Sequence, residues 1–198
     1  MLTLGHSTLP IDIFLHALQE NNVKVLVDVR TVPRSRHNPQ FATEELAKSL
    51  RSRDIEYRWM QSLGGLRHTR KDSINTGWRN ASFRGYADYM QTDAFADALN
   101  DLMTLDEQTT AAVMCAEAVP WRCHRSLIAD ALLVHKHPVE HIFVTPPSHA
   151  NPMGSTHRKP HTMTAFAQTS FTQNGELRLW YPDPQELPWQ EENSERNR

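Results

Sequence analysis

Apolar residues recur along this chain with two different periods. Leu2 to Gly5 is a short apolar run closed by a glycine and predicts a strand. After Pro10, the residues Ile11, Phe14, Leu15 and Leu18 fall at i, i+3, i+4 and i+7, one face of a helix. Val23 to Val29 is β-branched and almost wholly apolar, as expected of a strand covered on both faces. Strand, helix, strand makes a βαβ unit, which joins parallel strands by a right-handed crossover.

The pattern continues downstream. Thr43-Glu44-Glu45 predicts a helix start, with the hydroxyl as cap, two carboxylates at the positive end, and Leu46, Ala47 and Leu50 facing inward. Ile55 to Met60 reads as a strand. Ser62 to Arg84 carries glycines and cations without a period; its length and aromatic content predict an ordered, functional loop. Tyr86 to Leu105 reads as one helix with Thr92 as an internal cap, and Ala111 to Met114 as a buried strand. Leu127, Ile128, Ala131 and Leu132 mark another helix face, and Val139 to Val144 another strand. Thr145 to His161, rich in Pro, His and small polar residues, reads as an irregular crossing segment. Asn174-Gly175 between two strand-like runs signals a hairpin. The fold class these elements predict is α/β: a mainly parallel sheet flanked by helices, with a small C-terminal β-hairpin. A single domain over residues 1–183 and a disordered polar tail over 184–198 complete the expectation.

Composition narrows the setting. A chain of 198 residues can bury one sizeable core. No apolar run approaches the roughly 20 residues that span a bilayer, and no charged-then-apolar leader opens the chain, which predicts a cytoplasmic protein without a membrane partner. The two cysteines do not make a secreted disulfide framework. The net charge of -2 conceals an asymmetry: 12 Lys or Arg stand against 5 Asp or Glu between Arg30 and Arg84, and none against 7 between Gly85 and Trp121. The basic stretch suits an anion, or a nucleic acid where its aromatics interleave, while the acidic one suits a wet helix face.

Candidate chemistry gathers where predicted strands end. Ligands of open α/β sheets bind outside the carboxyl ends of the parallel strands. His6 and Ser7 follow the first strand, Asp28 and Arg30 the second, and Cys115 and Glu117 the strand that opens MCAEAVPWRCHRS. Cys115 is the candidate nucleophile, with Glu117, His6 and Asp28 as candidate acid, base or orienting groups. A thiol facing helix amides, flanked by Arg122 and Arg125, is expected to lose its proton more readily than a free cysteine. Arg30, Arg36, Arg84, Arg122, Arg125 and Ser126 are candidates to hold a small anionic ligand. A second reading uses Cys115, Cys123, His124 and a further histidine, such as His6 or His161, as ligands of a transition metal. A third is a nucleic-acid-binding module on the basic stretch.

LGHS at 4–7, VLVDVR at 25–30 with Pro33-Arg34-Ser35-Arg36, LGGLR at 63–67, WRN and FRGYADYM within 78–90, and MCAEAVPWRCHRSLIADAL at 114–132 together resemble the domain of unknown function 488 family. The resemblance covers about the first 165 residues. It implies a bacterial or archaeal α/β domain and brings no settled activity. LVDVR is also similar to a strand of rhodanese domains, and RSLIADAL to the helix after the active-site loop of rhodaneses and cysteine phosphatases. Neither cysteine stands at the usual five-residue loop spacing from an arginine, so neither activity is carried over.

Overall fold

Nearly every strand follows from the apolar runs above, and the order in which they pair decides where the chain can hold a ligand. A computed structural model describes residues 1–34, 36–145, 147–149, 151–171 and 177–186. In chain order these form β1 (Leu2–Gly5), α1 (Ile11–Glu20), β2 (Val25–Asp28), α2 (Thr43–Arg51), β3 (Glu56–Trp59), α3 (Ala81–Tyr89), α4 (Asp93–Gln108), β4 (Ala111–Cys115), α5 (Arg125–Val134), β5 (Glu140–Thr145), β6 (Ser155–Pro160), β7 (Gln168–Phe171) and β8 (Leu177–Trp180). The main sheet runs β3-β2-β4-β1-β5-β6. Its first five strands are parallel and β6 is antiparallel to β5. β7 and β8 form a separate antiparallel pair, so the predicted fold class holds.

Both faces of the sheet are covered. Phe14 and Leu18 of α1 and Leu46 and Leu50 of α2 pack with Leu4, Leu26, Ala112 and Met114 on one side. Leu99 and Leu102 of α4 and Leu127 and Ile128 of α5 pack with Val25, Val27 and Val113 on the other. Burying each such side chain is worth about 1.5–3 kcal/mol. The chain leaves β1 for α1 on one face and β4 for α5 on the opposite face. Since β1 and β4 are neighbours, their exits diverge and open a crevice at the carboxyl ends.

Four local expectations are corrected. The helix expected over Tyr86–Leu105 is two, α3 and α4. Thr92 ends the first turn region and caps the second helix, its hydroxyl accepting from the Phe95 amide at 3.3 Å. Thr43 is the first residue of α2 rather than its cap; its hydroxyl donates to the Pro33 carbonyl at 3.2 Å. The segment read as irregular contains β6, whose side chains lie mostly exposed at the sheet edge and therefore show no apolar alternation. Pro184–Glu186, placed in the disordered tail, form a 3-10 turn. The Asn174-Gly175 turn and tail residues 187–198 lie outside the described residues. Among the described residues no helix is long and apolar enough to cross a membrane.

Candidate functional site

The diverging exits of β1 and β4 enclose a cavity of about 810 Å³. β1 delivers His6, the end of β2 delivers Arg30, and β4 with the loop after it delivers Cys115 and Glu117. A 3-10 turn at Pro120–Arg122 then returns the chain so that Arg122, Cys123 and His124 line the same hollow just before α5. Two features hold this geometry. Ser7 takes a left-handed conformation (φ 45°), and its amide donates to the Ala116 carbonyl at 2.8 Å. Gly5 lies under the returning loop so closely that a Cβ there would be 1.8 Å from the Glu117 carbonyl oxygen.

Asp28 anchors this wall rather than lining the cavity. It is fully buried and accepts from the backbone amide, Nε and Nη2 of Arg30, and from the Tyr57 hydroxyl at 2.8 Å. Arg30 uses its remaining reach on the Phe41 carbonyl at 2.8 Å and on His6 Nε2 at 3.3 Å. His6 Nδ1 faces the Ser7 carbonyl at 2.8 Å; a carbonyl only accepts, so Nδ1 carries the proton and Nε2 receives Arg30. The ring is stacked on Phe41 with centroids 4.2 Å apart. Burial, aided by the Arg30 charge against the opposing Ser7 bond, lowers its pKa to about 4. A neutral imidazole therefore sits in this wall at neutral pH.

The centre of the site is a cluster of three side chains. His124 Nδ1 lies 3.9 Å from Cys115 Sγ and 3.7 Å from Cys123 Sγ. Its Nε2 lies 3.1 Å from the Val29 carbonyl, which must accept, so the Nδ1 lone pair is the one aimed at the sulfurs. The Arg125 amide, at the start of α5, points at Cys123 Sγ at 3.5 Å. The helix-start amide expected beside Cys115 thus meets Cys123 instead. The Cys123 thiol is pulled down, with the neighbouring Cys115 thiol the largest cause, against burial and with help from the Arg125 charge and amide. Cys115, beside Cys123 and itself buried, is pushed up. No further His, Cys, Asp or Glu joins the cluster among the described residues. His6 is engaged with Arg30 and Ser7, and His161 is held by Asp130 at 2.8 Å and His141 at 2.9 Å, so neither supplies the fourth ligand expected above.

The other candidates divide. Glu117, Arg122 and also Arg34 line the cavity. Arg125 does not: it is 2% exposed, its Nη2 donates to the Glu117 carbonyl at 2.9 Å, and its Nε has no partner among the described residues. Ser126 donates to the Cys123 carbonyl at 3.0 Å and steadies the helix start. Arg36 is exposed away from the lining, and Arg84 is turned to the Trp78 carbonyl at 2.9 Å. Much of the basic stretch is spent locally: Arg58 pairs with Glu56, Arg70 with Asp72, and Arg67 lies 3.5 Å over the Tyr89 ring.

Residues without a sequence-derived role complete the walls. Val32, Leu66 and Phe83 supply an apolar flank. Gly65 lies over the His124 ring, where an added Cβ would be 2.4 Å from Nδ1, 2.8 Å from Cγ and 2.9 Å from Cε1. The double glycine of LGGLR was the only visible sign of this close approach.

Neither the curated proteins nor the solved structures with which the chain was compared give a match. A family model described as Domain of unknown function DUF488 matches residues 10–132. This span, more than half of the chain, runs from α1 through most of α5 and takes in both cysteines and His124, so the chain belongs to the DUF488 family.

Proposed function

We propose that the cavity is the ligand site of an enzyme-like domain, taking a small phosphate- or nucleotide-like anion and presenting its reacting part to Cys115, Cys123 and His124. The observation that carries this reading is the presence of unpaired cations in the same hollow as the cluster. Arg34 and Arg122 line it without a carboxylate partner among the described residues, whereas Arg30 is neutralised by Asp28. Among the described residues Glu117 is the only acidic side chain of the lining. A net-negative protein thus gathers positive potential at one concave, low-dielectric place, which favours an anion there. The apolar flank of Val32, Leu66 and Phe83 gives a base or similar ring somewhere to lie. Two free thiols suit a reducing, cytoplasmic setting.

Calorimetric titration of the full chain with inorganic phosphate, pyrophosphate and AMP tests this. Saturable binding is expected, weakened about tenfold or more by Arg122→Ala or Arg34→Ala, since a hydrogen bond to a charged group is worth about 1.5–3 kcal/mol. Both side chains are exposed, so the substitutions leave the core intact. Saturable binding of none of the three anions, or binding indifferent to both substitutions, would overturn the reading.

A further inference from the structure

We propose that Cys115, Cys123 and His124 form an open, three-ligand centre for a thiophilic divalent cation of the zinc class, with its fourth position facing the cavity. This deepens the reading above, on which it rests for the ligand that would occupy that fourth position.

The case is geometric. A tetrahedral zinc ion with bonds of about 2.3 Å to sulfur and about 2.0–2.1 Å to nitrogen separates its sulfur and nitrogen ligands by about 3.6 Å. The two sulfur-to-Nδ1 separations are 3.9 and 3.7 Å, and all three donor atoms lie within 4.8 Å of one another. Shifts of a few tenths of an ångström bring Nδ1 and each sulfur to coordination separation, and the two sulfurs, which a tetrahedral zinc holds about 3.8 Å apart, need close by no more than about 1 Å. The donor set also has the right lone pairs available. Val29 holds the proton of His124 on Nε2, which leaves Nδ1 free to coordinate; a backbone carbonyl behind a ligating histidine is a common way to fix its tautomer. The ring cannot easily turn away, because Gly65 lies over it and the Tyr86 ring stands 4.9 Å from it.

The same geometry leaves the centre open. With two thiolates and one imidazole a tetrahedral ion keeps one position, and no further His, Cys, Asp or Glu of the described residues joins the three. All three ligands line the cavity, so that position faces the space assigned to the anion. Charge agrees with this arrangement. Two thiolates cancel a divalent ion, while the buried Arg125 guanidinium, with no carboxylate partner among the described residues, remains uncompensated nearby. An anionic fourth ligand restores neutrality. The cation would then polarise an oxygen of the bound anion or of a water beside it.

The test uses full-length, tag-free protein purified under reducing conditions. Elemental analysis is expected to find about one zinc per chain, and cobalt titration of chelator-stripped protein should give the strong visible bands and sulfur-to-cobalt charge transfer of a four-coordinate thiolate centre. Cys115→Ser, Cys123→Ser and His124→Ala should each weaken cobalt binding by about tenfold or more, with Arg58→Ala, at an exposed pair outside the cavity lining, leaving it unchanged. Thermal unfolding of each stripped variant shows whether it is folded. If Cys123→Ser fails to fold, His124→Asn serves as the second ligand deletion. Added imidazole should change the cobalt spectrum if the fourth position is open. Absence of saturable zinc and cobalt binding in the reduced wild type would overturn the centre, as would binding unaffected by the ligand deletions. Cobalt bands unresponsive to imidazole would overturn its openness. Phosphate or AMP binding that persists in a metal-free protein unable to bind cobalt would sink this centre and leave the anion reading standing; cobalt binding without anion binding would do the reverse.

Discussion

Arg125 reaches back to the Glu117 carbonyl, donating from Nη2 at 2.9 Å, and so ties the first turn of α5 to the loop that leaves β4. The Ala118 carbonyl lies 3.4 Å from the same nitrogen. The loop it fastens carries the approach from Cys115 to Cys123, so this bond fixes the relative position of the two sulfurs. Arg125→Met is expected to leave both carbonyls short of a donor and to destabilise the fold by about 2 kcal/mol, within the roughly 1–3 kcal/mol that an unmade buried hydrogen bond costs. Arg125→Lys should recover little, because an ammonium lacks the planar fork and is more costly to desolvate. Urea unfolding of the two variants measures this; wild-type stability in the methionine variant would refute the fastening role.

The Asp28–Arg30 pair makes a separate prediction. Asp28 is fully buried and receives Arg30 at 2.6–3.1 Å along with the Tyr57 hydroxyl. Asp28→Asn keeps the shape but leaves a buried guanidinium without its counter-charge, which should cost about 3–5 kcal/mol. Removing both charges, as in Asp28→Asn with Arg30→Met, should cost less than the single change. A double-mutant cycle read by thermal or urea unfolding decides, and additive losses would show that the two groups act independently.

How much of this was legible in the sequence depended on the range of the interactions. His6, Arg30 and Cys115 could be placed together because each follows an apolar run, and parallel strands end on a common edge. The side chains of the aperiodic 62–84 loop could not, since nothing in their spacing says that Gly65 will lie on His124 or that Phe83 will turn into the cavity. The helix-start amide, expected at Cys115, meets Cys123 for a related reason. Which thiol meets the Arg125 amide is set by the 3-10 turn at Pro120–Arg122, and neighbouring charges in the sequence do not report it. Arg125 itself, expected to face a ligand, faces backbone carbonyls. β6 was hidden because an edge strand held by backbone pairing needs no apolar alternation.

Gly65 offers a test of the His124 placement that leaves the ligand side chains untouched. A methyl group there would sit 2.4 Å from Nδ1, so Gly65→Ala must displace either the imidazole or the loop. A displaced ring loses its bond to Val29 and its aim at the two sulfurs. Cobalt affinity should fall about tenfold, the lower end of what disturbing the support of a metal ligand costs. Unchanged cobalt binding in a folded Gly65→Ala protein would show that the ring need not sit where Gly65 admits it.

The pH dependence of stability follows from two buried histidines. Burial lowers the pKa of His141 to about 4, with the His161 and Arg125 sides adding to the effect against Asp130, and His6 likewise lies at about 4. The hydrogen bonds at His141 agree with a neutral ring. Asp130 accepts from the Thr164 amide and hydroxyl and from the Tyr181 hydroxyl, so the facing His161 Nε2 donates to it, His141 Nε2 donates to His161 Nδ1, and His141 Nδ1 accepts from Thr3. Between the folded value near 4 and the unfolded value of 6.5 the unfolded chain binds more protons than the folded one. Stability is therefore full above 6.5, falls as pH drops through that window, and stops falling from this source below 4. Each ring contributes on the order of 2–3 kcal/mol across the window. His141→Gln preserves a donor toward His161 and an acceptor for Thr3 but cannot be protonated, so it should make the decline between pH 7 and pH 4 shallower by about half. Urea midpoints across that range measure the slope, and a variant that follows the wild-type curve would remove His141 from the account.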